Sequence, residues 1–89
     1  MILKPLTISE AEEFLAGHER HYLTNAEAIC AIGIGDKDKL HGAAILGRRH
    51  DGDAELRHIY VDGVYQGYSI LYGACWRALK ALGYERVYL

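Results

Sequence analysis

Glu55-Leu56-Arg57-His58-Ile59-Tyr60-Val61-Asp62-Gly63, followed by Val64-Tyr65-Gln66-Gly67-Tyr68-Ser69-Ile70-Leu71, reads as a strand, a tight loop and the start of a helix. The first-turn amides of a helix have no intrahelical partner, so a strand feeding such a turn is a ready anion site and suggests a phosphate-bearing cofactor. Downstream, Ile70, Leu71, Ala74, Cys75, Ala78, Leu79 and Leu82 share one helical face, with Arg77 and Lys80 opposite. The spacing predicts a helix from about Tyr68 to Leu82. Gly83 stands where a left-handed cap belongs, and Glu85 to Leu89 reads as a short last strand. A strand, a helix and a strand in that order imply parallel pairing of the two strands.

Upstream lie three further strand patterns and one helix. Ile2 to Leu6 holds the only proline and suits an edge strand. Ser9-Glu10-Ala11-Glu12 fits a capping box, and Ala11, Phe14, Leu15 and His18 recur at helical spacing, predicting a helix to about Tyr22. Ala28 to Ile34 is almost wholly apolar, as in a strand covered on both faces. The charged turn Asp36-Lys37-Asp38-Lys39 leads to a return strand over Leu40 to Arg48, and Asp51-Gly52 marks the turn into Ala54 to Val61. The expected fold is therefore α/β, a single domain over residues 1–89 with a mixed sheet of about five strands and two main helices.

The totals exclude several function classes. Eighty-nine residues make one small domain, and a formal charge of −2 leaves no electrostatic footprint for nucleic acid. No apolar run approaches the roughly 20 residues that span a bilayer. The N-terminal residues lack the basic-then-apolar order of a secretion signal, so a cytoplasmic location is expected. In that compartment Cys30 and Cys75 are expected as buried free thiols rather than a bridge.

The order of elements resembles the front of the GNAT N-acetyltransferase superfamily. Members commonly carry glutamate, an apolar residue, two variable residues, an apolar residue, one residue and valine on this strand, a frame that Glu55-Leu56-Arg57-His58-Ile59-Tyr60-Val61 fits. Their phosphate loop reads arginine or glutamine, two residues, glycine, one residue, then glycine or alanine. Gln66 matches its first position, whereas Ser69 and Leu71 replace the two small residues. Asp62-Gly63 with the run Ser69-Ile70-Leu71-Tyr72-Gly73-Ala74-Cys75-Trp76-Arg77 is similar to a bacterial and phage branch of GNAT-like proteins, as is His18-Glu19-Arg20-His21. Members continue into another helix and two more strands, so the resemblance implies a C-terminally shortened domain that keeps the cofactor-facing half.

The resemblance implies acetyl-CoA or another acyl-CoA as cofactor and an unknown primary amine as acceptor. The pyrophosphate would meet backbone amides over Gln66, Gly67, Tyr68, Ser69, Ile70 and Leu71, with the Ser69 hydroxyl as an added donor. The pantetheine arm would add to the strand at Ile59, Tyr60 and Val61. Glu55 would serve as base for the amine and a strand amide near Val61 would steady the oxyanion. Regular alternation places Glu55, Arg57, Ile59 and Val61 on one face and Leu56, His58 and Tyr60 on the other. Glu55 and Arg57 could equally form a solvated pair, and His58 is an alternative base.

Other residues bear weaker readings. His18 and His21 have a ligand-like spacing, but no carboxylate or thiol cluster completes a metal site. They could wall an acceptor pocket or end the helix in solvent. Tyr65 and Tyr68 could cover the cofactor, while Tyr72 and Trp76 share one helical stripe, as packing residues or as a partner face. A domain ending at Leu89 would expose a sheet edge, so a homodimer through that edge is expected. The alternative to an acyltransferase is a non-catalytic module or phage-type inhibitor that binds itself or a host protein. A fragment of a longer reading frame is a third possibility.

Overall fold

The computed structural model describes residues 1–18, 27–63 and 65–89, with the backbone alone for Tyr65. Five strands form one sheet in sequence order: β1 (Ile2–Leu6), β2 (Ala28–Gly35), β3 (Leu40–Arg48), β4 (Ala54–Val61) and β5 (Val87–Tyr88). The first four pair antiparallel, and β5 joins β4 in parallel through Ala54↔Val87 and Glu55↔Tyr88. The mixed α/β sheet and its two helices, α1 (Ile8–His18) and α2 (Tyr65–Ala81), are those the patterning predicts.

The two helices cover opposite faces of the sheet. Ala11 and Leu15 of α1 pack on Ala31, Ala43 and Ile45, with Tyr60 alongside. Leu71, Cys75 and Leu79 of α2 pack on Ile34, Ala44, Leu46, Ala54 and Val61. Alternate residues of β3 therefore serve opposite cores, which is why its run is apolar throughout. Both cysteines are free thiols, and both belong to the α2 side. No described helix is long and apolar enough to cross a membrane.

Three local expectations are corrected. The capping box of α1 is Thr7 with Glu10, two residues before the Ser9–Glu12 pair. The Thr7 amide donates to Glu10 Oε1 at 2.8 Å, and the Glu10 amide donates to Thr7 Oγ1 at 3.1 Å. Both quartets fit the motif, but only Thr7 precedes the first helical residue. The predicted end near Tyr22 lies outside the described residues. Helix α2 starts at Tyr65 rather than near Tyr68, because Gly67 is a helical residue packed on β4. A Cβ there would fall 2.7 Å from Val61 Cγ1, so its missing side chain allows the approach. At the other end the Gly83 cap holds: φ is +97°, and Tyr84 N donates to Leu79 O and Gly83 N to Lys80 O, a Schellman pair.

The third correction concerns which face β4 shows. Ile45 pairs with His58 but Leu46 pairs with Leu56, leaving Arg57 as a bulged extra residue. Ala54, Leu56, Ile59 and Val61 thus all belong to the α2 side. Glu55, opposite Gly47, faces the α1 side. It does not share a face with Ile59 and Val61, as uninterrupted alternation predicts.

Candidate functional site

Strand β4 carries every sequence-predicted site residue before α2, and it has two different ends. At its C-terminal end, Val61 leads through Asp62 and Gly63 toward α2. Gly63 has φ +66°, which glycine adopts without strain. Asp62 N donates to His41 O at 2.7 Å, tying this connection to β3. The first turn of α2 contains no acidic residue. The amides of Tyr65, Gln66 and Gly67 lack intrahelical acceptors by their position.

From Ser69 onward, each amide has an acceptor four residues back in the helix, so Ser69, Ile70 and Leu71 do not form an amide-lined loop. Leu71 is wholly buried in the core, whereas Ile70 is exposed on the helix surface. Gln66 and Ser69 are exposed polar side chains of the first two turns. The part of the predicted stretch with free helix-start amides therefore reduces to its first residues.

Along β4, Leu56 and Ile59 are only half-buried beneath α2. The pairing with β5 runs to Glu55, and among the described residues the outward backbone edge from Leu56 to Val61 has no strand partner. Tyr60 turns to the other face, where its ring lies 5.4 Å from His18 and 6.3 Å from Phe14. His18 stacks on Phe14 at 4.1 Å and its Nδ1 lies 2.8 Å from Phe14 O, fixing the ring at the end of α1. His21, the other half of the ligand-like spacing, lies outside the described residues. Among the described residues no three His, Cys, Asp or Glu side chains converge as a metal site.

The N-terminal end of β4 holds the charged chemistry. A groove of about 460 Å³ is lined by Glu27, Arg48, Arg49, His50, Glu55 and Arg57. Arg57 lies across Gly47, where a Cβ would sit 2.5 Å from its Nε. Its Nη2 donates to Arg48 O at 2.6 Å, and its Nε is 3.0 Å from Glu55 Oε1. That Nε–H forms an ion pair with Glu55 but is not aimed along a hydrogen bond. The Glu55–Arg57 pair is thus present, but half-buried rather than solvated, with 29% and 27% of the two side chains exposed and the Arg57 Nε buried. Tyr88 is drawn in from β5, its ring 4.1 Å from the Arg49 guanidinium carbon.

Glu55 and Val61 are six residues apart on one strand, roughly 20 Å at 3.3 Å per residue. The base serves the attacking amine and the oxyanion donor the thioester carbonyl that it attacks, so at this separation Glu55 does not reach, by direct contact, an amine attacking a carbonyl held at the Val61 amide. The arginine cluster is what sequence reasoning missed. Arg48 and Arg49 flank the Asp51-Gly52 turn that returns Arg57 beside them, and counting back from that turn would have found it. No family model, curated protein or solved structure matches this chain.

Proposed function

We propose that the chain binds an acyl-CoA along the open edge of β4 and transfers its acyl group to a primary amine held near Glu55. The observation that carries this is the edge itself. β4 pairs with β5 through Ala54 and Glu55, and over the next six residues, to the N-terminal turn of α2, its outward backbone meets no strand among the described residues. An extended arm can add to such an edge as a strand does. The phosphates at its far end would meet the first-turn amides of Tyr65 to Gly67, where the helix dipole favours negative charge.

In the transfer, Glu55 takes a proton from the acceptor ammonium and the freed amine attacks the thioester carbonyl. The C–N bond forms and the C–S bond breaks, the nitrogen gives up its second proton to solvent as the amide forms, and coenzyme A leaves as a thiolate that takes a proton from solvent. With Val61 too distant, a stabilising amide belongs to β4 close to the Arg57 bulge. Calorimetric titration with acetyl-CoA, with amide shifts mapped by NMR, tests this. Saturable binding with shifts over Arg57–Tyr68 supports it, and Glu55→Gln should then lose transfer while keeping binding. No saturation at millimolar acetyl-CoA, or shifts confined elsewhere, would sink it.

The outer stripe of α2 favours a second reading. Trp76 is half exposed and Tyr72, one turn away, is 37% exposed. Together with the open β4 edge, they suit a non-catalytic module that pairs with a second copy or a protein partner. Oligomeric mass separates the two. A stable dimer in which the β4 amides are protected from exchange would leave no edge for an acyl arm.

A further inference from the structure

The groove at the start of β4 collects three of the chain's six arginines, although the net charge is −2. It lies at the opposite end of β4 from the α2 terminus, so it is not the expected phosphate site. Against Arg48, Arg49 and Arg57 stand Glu27 and Glu55 of its lining and Asp51, which pairs with Arg49, so the fixed charges balance, as suits a ligand that carries both signs. Its volume of about 460 Å³ falls within the usual range for small-molecule sites.

Each arginine is held from behind. Arg57 lies on Gly47 and donates to Arg48 O. Arg48 lends the groove its carbonyl, while its own side chain turns with Ala54 to the α2 side, where Nη2 donates to Tyr84 Oη at 3.3 Å. Arg49 sits over the Tyr88 ring with its Nε 3.3 Å from Asp51 Oδ2. These contacts engage one or two N–H groups of guanidiniums that carry five each, and a guanidinium fork matches a carboxylate's two oxygens. The site thus has oriented donors for an anion beside a carboxylate that can accept from a cation.

We propose that this groove binds a small zwitterion, a primary amine that also bears a carboxylate. Its carboxylate lies against Arg49 and Arg57, and its ammonium against Glu55. The proposal rests on the proposed function only in making that ammonium the acyl acceptor. The binding itself needs no acyl-CoA.

The test is therefore run without acyl-CoA, so its outcome is separate from the acetyl-CoA titration. The chain is titrated with L-glutamate, ethylamine and acetate at one ionic strength, following the arginine Nε–H and backbone NMR signals. L-Glutamate should saturate shifts at Arg49, Glu55 and Arg57, binding at least about tenfold more tightly than ethylamine or acetate. Arg49→Gln, at a turn outside both cores, should weaken L-glutamate by about tenfold with the remaining spectrum unchanged. Equal affinity for acetate would make this a plain anion site and overturn the proposal. So would an absence of saturable shifts, or a folded Arg49→Gln variant that binds as the parent does.

Discussion

Gly67→Ala offers a sharp test of how α2 sits on β4. An alanine in place of a helical glycine normally stabilises by up to about 1 kcal/mol. Here the new Cβ would lie 2.7 Å from Val61 Cγ1. Ordinary carbon contacts are about 3.5–4.0 Å, so the approach is short by about 0.8 Å or more. Val61 is 4% exposed and β-branched, and so has little rotamer freedom with which to yield. Over-packing of this kind costs about 1–3 kcal/mol, leaving a net loss of about 0–2 kcal/mol after the helix gain. For a domain this small that lowers Tm by up to about 15 °C. In a Val61→Ala background the obstructing methyl is gone, and the same Gly67→Ala change should raise Tm. The assay is a double-mutant cycle by thermal circular dichroism, with a coupling of about 2 kcal/mol expected. A higher Tm for Gly67→Ala with Val61 intact would show that Gly67 is an ordinary helical glycine. The close approach also means that a charged substitution at Gly67 would report on packing before it reported on any phosphate.

Two further outcomes follow from other parts of the fold. Burial, reinforced by neighbouring Cys30, pushes the Cys75 thiol up to about 12. The unfolded chain ionises this thiol from about pH 8.5–9, so its contribution to stability is complete below that range. It then falls by about 1 kcal/mol per pH unit until about pH 12. Urea titrations at about pH 8 and about pH 10.5 should show a steeper alkaline loss for the parent than for Cys75→Ala, and equal slopes would contradict the buried-thiol account. Gly47→Ala places a Cβ against Arg57 Nε, Cγ and Cδ. It should change stability by no more than about 1 kcal/mol, roughly the worth of the Arg57–Arg48 hydrogen bond, yet displace the guanidinium from Glu55. An unchanged Arg57 Nε–H signal in that variant would contradict the close packing on Gly47.

The strands were legible because each apolar run is bounded by turn chemistry that tolerates no other reading. Asp36 N donates to Lys39 O across one turn, and Gly52 with φ +92° closes the other. The start of α2 was not legible, since a glycine in a loop and a glycine under a helix look alike in one sequence. Only the Val61 contact distinguishes them. The α1 cap was ambiguous for a simpler reason, as two overlapping quartets satisfy the same motif. The groove was invisible because Arg48, Arg49 and Arg57 meet only through the register of β3 on β4.

The bulge at Arg57 links these points, and the sequence does encode it. Apolar residues of β4 on the α2 side fall at 54, 56, 59 and 61, a period of two interrupted by one step of three. A regular strand that kept Ile59 and Val61 inward would turn Arg57 and Glu55 inward too, beneath α2. Burying those charges in the apolar layer would cost several kcal/mol. One extra residue keeps all four apolar side chains inward and turns Glu55 to the opposite face. On that face the described part of α1 packs over β1, β2 and β3 and reaches β4 only near Tyr60, leaving the Glu55 end open. The same irregularity that protects the α2 core therefore creates the charged groove. It also separates that groove by most of the length of β4 from the helix terminus that would hold phosphate. If one ligand spans both, it must be extended along the strand edge, with its reactive group at the bulge.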